Sequence, residues 1–166
     1  VKSLNKKIKP YKINREILGV GDVVFALCYS PKEKKFYLIK QFRPFYFVRK
    51  EKYKLELVGG LVDKGENLIQ ALKREIKEEI GVRTLKLKKL TRYCPVPGYS
   101  DEIVNVYYAE VEKIKRSHLY NKFENEEIKV SKISFNQLKK INSSEQIQNV
   151  LTKISIYEYL NKIKKS

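Results

Sequence analysis

The sequence predicts a single α/β domain, a mixed sheet covered by helices on both sides. Three observations lead to that class. A chain of 166 residues, 42% hydrophobic and 33% charged, suits one sizeable core. Short apolar or alternating runs recur along it, and amphipathic segments of helical period fall between them.

After a basic lead-in over 1–20, the domain is expected to occupy 21–166. DVVFALCY (22–29) is a buried-strand candidate; SPKEKK turns, and FYLIKQF (36–42) returns as a second strand, so a hairpin is expected. RPFYFVRKEKY (43–53) reads as an aromatic and basic loop, and LELVGG (55–60) as a short strand ending in two glycines. Asn67 is placed to cap a helix reaching about Glu79, with Leu68, Leu72, Ile76 and Ile80 as its stripe and Gly81 to end it. TLKLKKLTRYC (84–94) alternates like a strand, PVPGYSDE (95–102) turns, and IVNVYYAEV (103–111) is another strand. A polar segment over 113–127 is expected to be a mobile loop before the strand IKVSKI (128–133). A small helix is expected from Phe135 to Ile141. Ser143 with Gln146 offers a capping box for a terminal helix whose buried face would carry Ile147, Val150, Leu151, Ile154, Tyr157 and Leu160.

Composition narrows the classes. No apolar run approaches the length of a membrane span, and VKSLNKKIKPYKI lacks the apolar stretch of a signal peptide, so a cytoplasmic protein without membrane contact is expected. Two cysteines, Cys28 and Cys94, cannot make a disulfide framework; both should be reduced, with Cys28 in the core. The net charge of +17 fits either a nucleic-acid partner or a lysine-rich compositional bias. Its distribution is more telling. Residues 61–128 hold 12 of the 19 acids, against 5 in residues 1–60 and 2 in residues 129–166. Carboxylates gathered in one segment of a basic chain suggest a cation site.

Glu75, Glu78 and Glu79 stand at i, i+3 and i+4, which puts them on one side of the expected helix, away from the stripe led by Leu72 and Ile76. The positions four after Glu75 and Glu78 are Glu79 and Val82, so no lysine offsets the repulsion there. Oxygen ligands alone suit Mg²⁺ or Mn²⁺ rather than zinc. The lone His118 reads as a loop residue. A solvated acidic face is the alternative for the glutamates.

The run from Gly60 through Glu66, Arg74, Glu75, Ile76, Glu78, Glu79 and Gly81 to Val82 matches every fixed position of G-x5-E-x7-R-E-U-x-E-E-x-G-U, the Nudix box. The chain therefore resembles a Nudix hydrolase. That resemblance implies an α/β/α sandwich and metal-dependent hydrolysis of a nucleoside diphosphate linked to another group. It also implies that Glu75 and Glu79 are the main Mg²⁺ or Mn²⁺ ligands, that Glu78 ligates further or through water, and that the Gly59 carbonyl completes the cluster. Glu66 and Arg74 would form an internal ion pair, and Gly60 and Gly81 would serve as structural members.

The flanks resemble the branch acting on ADP-ribose and related nucleoside diphosphate sugars. QFRP (41–44) and LELVGG are similar to its Q-x-R and E-x-x-A/G-G segments, and Pro97, Gly98 and Glu102 fit its P-G-x-x-x-E. Glu124-Asn125-Glu126-Glu127 looks like the acidic loop that supplies a general base, Glu124, and another metal ligand, Glu126. KQFRP and LVGGLVD also resemble the UDP-sugar branch. Arg43 is expected to contact a substrate phosphate or base edge, or else to pair with Glu56; Phe45, Tyr46, Phe47 and Tyr53 would stack on a base or fill a subunit interface. A homodimer is expected from the resemblance, though only about twenty residues precede the first core strand. The expected reaction on ADP-ribose gives AMP and ribose 5-phosphate. An RNA-directed Nudix protein, decapping or merely binding, and a ligand-sensing regulator are the competing classes.

Overall fold

The computed structural model describes residues 12–121 and 126–164. Its elements in order are β1 (Asp22–Ser30), β2 (Lys35–Lys40), α1 (Pro44–Val48), β3 (Val58–Leu61), α2 (Leu68–Ile80), β4 (Thr84–Tyr93), β5 (Ile103–Val111), β6 (His118–Asn121), β7 (Glu126–Ile133), α3 (Phe135–Ile141) and α4 (Val150–Lys164). The strands form one seven-stranded sheet in the order β4-β5-β1-β2-β7-β6, with β3 paired to β1 outside that path.

β1 organises the sheet. One edge pairs in parallel with β5 along nearly its whole length. The other edge is shared: Val23–Ala26 pairs antiparallel with β3, and Cys28–Ser30 pairs with β2. The two-glycine strand β3 is thereby held beside the centre of the sheet rather than at its rim.

Alternation divides the core into two layers. Val24, Ala26 and Cys28 of β1 join Tyr37, Ile39, Tyr107 and Ala109 in packing against Leu72, Ile76 and Ile80 of α2. Val23 and Leu27, with Phe36, Leu38, Val104 and Val106, face Leu138, Ile141, Leu151 and Ile156 of α3 and α4. The result is the expected α/β/α sandwich. Both cysteines are free, and burial, followed by the negative charge of Glu79, pushes the Cys28 thiol up. Among the described residues, no helix is long and apolar enough to cross a membrane.

Four local expectations need correction. Residues 43–53 are not all loop, because Pro44 opens α1 in its first turn and buries Tyr46. The polar stretch 113–127 contains β6, with His118 as its first residue, and the start of β7; the two pair antiparallel, so backbone bonding overrides the polar composition. The capping box forms at Ser134 and Gln137 of α3, whereas Ser143 caps nothing and Asn149 accepts the Thr152 N–H at 3.2 Å to start α4. Finally, Val150, Ile154 and Tyr157 lie outward on α4; Leu151, Thr152, Ser155 and Ile156 form its buried face, displaced by about one position from the apolar stripe.

Candidate active site

The site grows from the joint between β3 and α2. Gly59 has φ +144°, and a Cβ there would stand 2.0 Å from the Val24 carbonyl oxygen, so only glycine lets β3 lie this close to β1. At Gly60 the issue is room: a Cβ would meet Glu75 Oε1 at 2.6 Å. A tight loop follows, and Asn67 then accepts the N–H groups of Ile69 and Gln70 while the Gln70 side chain accepts the Asn67 N–H, a reciprocal cap. Gly81, at φ 67°, ends the helix in the left-handed conformation.

These constraints turn part of the acidic face inward. Glu75 and Glu79 are 7% and 5% exposed and lie with the buried side of α2, against the glycine strand. They do not project away from the apolar stripe as expected. Glu78 alone is exposed. The Gly59 N–H donates to Glu79 Oε2 at 2.7 Å. The expected mutual repulsion is also offset from an unexpected quarter. Arg74 Nη1 donates to Glu75 Oε1 at 2.8 Å and to Glu78 Oε2 at 3.2 Å. Its Nε donates to Glu66 Oε1 at 3.0 Å, and its Nη2 donates to Glu66 Oε2 and the Leu61 carbonyl and pairs with Asp63 at 3.4 Å.

The Glu66–Arg74 pair expected from the sequence is therefore present, within a wider network. Arg74 holds the Glu66 carboxyl below the ordinary glutamate range, and Glu66, then Glu75 and Glu78, holds the Arg74 proton more tightly in return.

Gly59, Gly60, Glu75, Glu79, Arg74, Arg43 and Glu102 share the wall of one cleft of about 400 Å³. Glu102 arrives there because Asp101 Oδ1 accepts the N–H groups of Val20 and Gly21 at 2.7 and 3.0 Å, tying the turn to the entry of β1. Those bonds, from Gly21 first, hold Asp101 below its usual value, while burial pushes Glu102 up. Pro97 and Gly98 shape that turn and do not reach the cleft wall. Arg43 pairs with the buried Glu56, Nε and Nη2 both at 2.9 Å from Oε2. Tyr46 is buried, with the Phe45 ring at 5.3 Å and nearly perpendicular to it, and borders a neighbouring pocket with Arg43 and Glu56. Gln41, Phe25 and Asp63 also line the cleft. None was singled out from the sequence; Gln41 lay within the quoted QFRP, and the other two had no signal of their own. Glu124 lies outside the described residues, as does the side chain of Glu126, whose backbone opens β7 opposite Asn121.

Two buried carboxylates in a glycine-walled cleft form an oxygen-only donor set that fits a hard divalent cation. Among the described residues, no three acidic, histidine or cysteine side chains already converge as such a site. Arg74 engages Glu75 and Glu78, and the Gly59 N–H engages Glu79.

Comparison with known proteins agrees with this geometry. An ADP-ribose pyrophosphatase of Bacillus subtilis (strain 168) is 36% identical over 96 residues, 58% of this chain and 49% of that protein. One from Haemophilus influenzae is 30% identical over 123 residues, 71% of this chain and 57% of its own. A GDP-mannose pyrophosphatase of Escherichia coli O1:K1 / APEC is 29% identical over 125 residues, 74% of this chain and 65% of the relative. The chain thus spans about half to two thirds of these relatives' lengths. In fold, it matches the crystal structure of an ADP compounds hydrolase with a TM-score of 0.68 at 18% identity, covering 87% of this chain and 73% of that one. A Nudix hydrolase from Nitrosomonas europaea matches at 0.62 and 20% identity, covering 85% and 88%. The NUDIX domain model matches residues 20–153, from the entry of β1 into α4 and across the whole acidic helix, so the chain belongs to the Nudix family.

Proposed function

We propose that this chain, with Mg²⁺ or Mn²⁺, hydrolyses the pyrophosphate of ADP-ribose to AMP and ribose 5-phosphate, or that of a closely related nucleoside diphosphate sugar to its own nucleoside monophosphate and sugar phosphate. The observation that carries the reading is convergence: residues from three separated motifs, Arg43 with Gln41, Glu75 with Glu79, and Glu102, border one cleft. The names of the relatives agree with it.

When bound, the divalent ion supplies charge neutralisation at the bridging phosphate oxygens and lowers the pKa of the attacking water. Glu75 and Glu79 would hold it, with the Gly59 carbonyl and Glu126 completing the set. Burial between α2 and β3 fixes both carboxylates before substrate arrives, which limits reorganisation during reaction. Arg43, paired with Glu56 at the edge of the cleft, offers a planar guanidinium whose geometry suits a phosphate or a base edge. Glu102, held by the anchored turn, closes the far wall. Glu124 takes the proton from water as general base, with Glu78 the next candidate.

A substrate panel of ADP-ribose, GDP-mannose, UDP-glucose, NADH, dinucleoside polyphosphates and 8-oxo-dGTP tests the reading. ADP-ribose should have the highest kcat/KM. First rank for 8-oxo-dGTP, or faster turnover of a capped RNA assayed beside the panel, overturns the branch assignment and leaves the fold standing.

A further inference from the structure

We propose that the aromatic and basic face carried by α1 and residues 49–54 binds single-stranded nucleic acid, with bases stacking on Phe47 and Tyr53 and phosphates paired to Lys50 and Lys52. The face exists because α1 is only five residues long and buries only Tyr46. Phe42, Phe45, Phe47 and Tyr53 are left 47%, 57%, 69% and 39% exposed. Scattered apolar residues on a surface need no explanation, but these are grouped. Phe42 contacts both Phe47 and Tyr53 at 6.0 Å between ring centroids.

A shallow groove of about 490 Å³ runs between Phe47 and Tyr53, with Tyr46 beneath and Lys50 and Lys52 beside it. Its one acid, Glu51, is engaged by Lys54 at 3.6 Å and by Gln148 Nε2 at 3.1 Å. Among the described residues, Lys50 and Lys52 form no ion pair, while the Arg49 guanidinium lies over the Phe45 ring, 6.0 Å from its centroid. Flat apolar faces interleaved with unpaired cations are the two elements of a single-strand binding platform.

Charge complementarity selects the occupant. A second copy docked through the same face would bring two sets of these cations together without counter-charge. A strand supplies both partners at once. Arg43 borders the active-site cleft and also the pocket beside Phe45 and Tyr46, so a bound strand would lie next to the cleft. The inference does not depend on the hydrolytic reading.

The test is fluorescence anisotropy with a labelled oligo(dT) of about 20 nucleotides, titrated at several KCl concentrations. Binding should weaken with salt, as counterion release requires. Phe47→Ala, Phe47→Leu and Tyr53→Ala should each lower affinity about tenfold and leave the slope of log K against log salt unchanged, since stacking releases no ions. The double variant Lys50→Gln/Lys52→Gln should reduce that slope by about 1.4, two phosphates' worth. Lys88→Gln/Lys89→Gln on β4 removes the same charge and should change neither quantity. Thermal midpoints check that each variant folds; Phe47 is exposed enough for both truncations to be tolerated. No binding by wild type, or an equal loss from the β4 double variant, overturns the proposal. So does capture by phosphatidylserine vesicles in place of the strand, or a dimer that Phe47→Ala dissociates.

Discussion

Arg74 is the residue on which the acidic helix depends. Its guanidinium faces four carboxylates, Asp63, Glu66, Glu75 and Glu78, and one carbonyl. Removing it takes from the buried Glu75 the guanidinium that engages it. Arg74→Gln should therefore lower unfolding free energy by about 2–3 kcal/mol in urea titrations with chelator present, below the cost at a fully buried pair because Arg74 is partly exposed. A loss under about 0.5 kcal/mol would show the network to be ornamental. The sequence motif contains this arginine but does not reveal its reach, since spacing along a helix gives neighbours at i+4 and says nothing of a loop folded back over the first turn. The base lies at the same scale. Glu124→Gln should cut kcat by about 10²–10⁴ with little change in KM, while Glu126→Gln should weaken apparent metal affinity. Exchanged phenotypes would reverse the two roles.

At the scale of elements, the β3–α2 joint is specified by two neighbouring glycines with different duties. Gly59→Ala sets a Cβ against backbone and should break the β1–β3 pairing, costing more than about 3 kcal/mol. Gly60→Ala meets the Glu75 carboxylate rather than backbone, so the fold should survive while kcat falls at least about tenfold from a displaced carboxylate. Thermal melts and steady-state kinetics on the pair separate the two duties. The periodicity of α2, its Asn67 cap and its Gly81 stop were legible because local signals and tertiary packing agree there. β6 was not legible: HLYN has no strand pattern, and its pairing with β7 is a long-range choice. On α4 the apolar stripe misled, because Thr152 and Ser155 can be buried once their hydroxyls bond to the Leu57 N–H and the Leu151 carbonyl. The inward turn of Glu75 and Glu79 was hidden for a similar reason, since polarity alone assigned them to solvent.

For the whole molecule, the balance of shifted carboxyls predicts its response to acid. Glu33, Glu66 and Asp101 are held below their ordinary values by Lys132, Arg74 and the Gly21 N–H respectively, and Glu102 is raised by burial. A lowered folded value gives stability that is present above the unfolded value and lost as pH falls through the folded one. Glu102 acts in the opposite sense, giving stability at low pH that disappears as pH rises. Each lowered carboxyl loses its partner on acidification, so the part of the stability that Glu66 draws from Arg74 should disappear as pH falls below about 4.5, and Glu66→Gln should flatten the fall of the thermal midpoint in that range. A fall of the same steepness in wild type and Glu66→Gln would show that the Glu66–Arg74 pair contributes nothing to the acid response. If the carboxylates buried between α2 and β3 serve pyrophosphate hydrolysis, the decisive comparison is turnover of ADP-ribose at saturating Mg²⁺ by wild type and by Glu79→Gln, with products resolved by chromatography. The amide oxygen can still accept the Gly59 N–H, so the variant should fold with a midpoint within a few degrees of wild type. Wild type should give AMP and ribose 5-phosphate, and the variant less than about a tenth of that rate. A folded Glu79→Gln protein that hydrolyses ADP-ribose at the wild-type rate would contradict that role of the carboxylates.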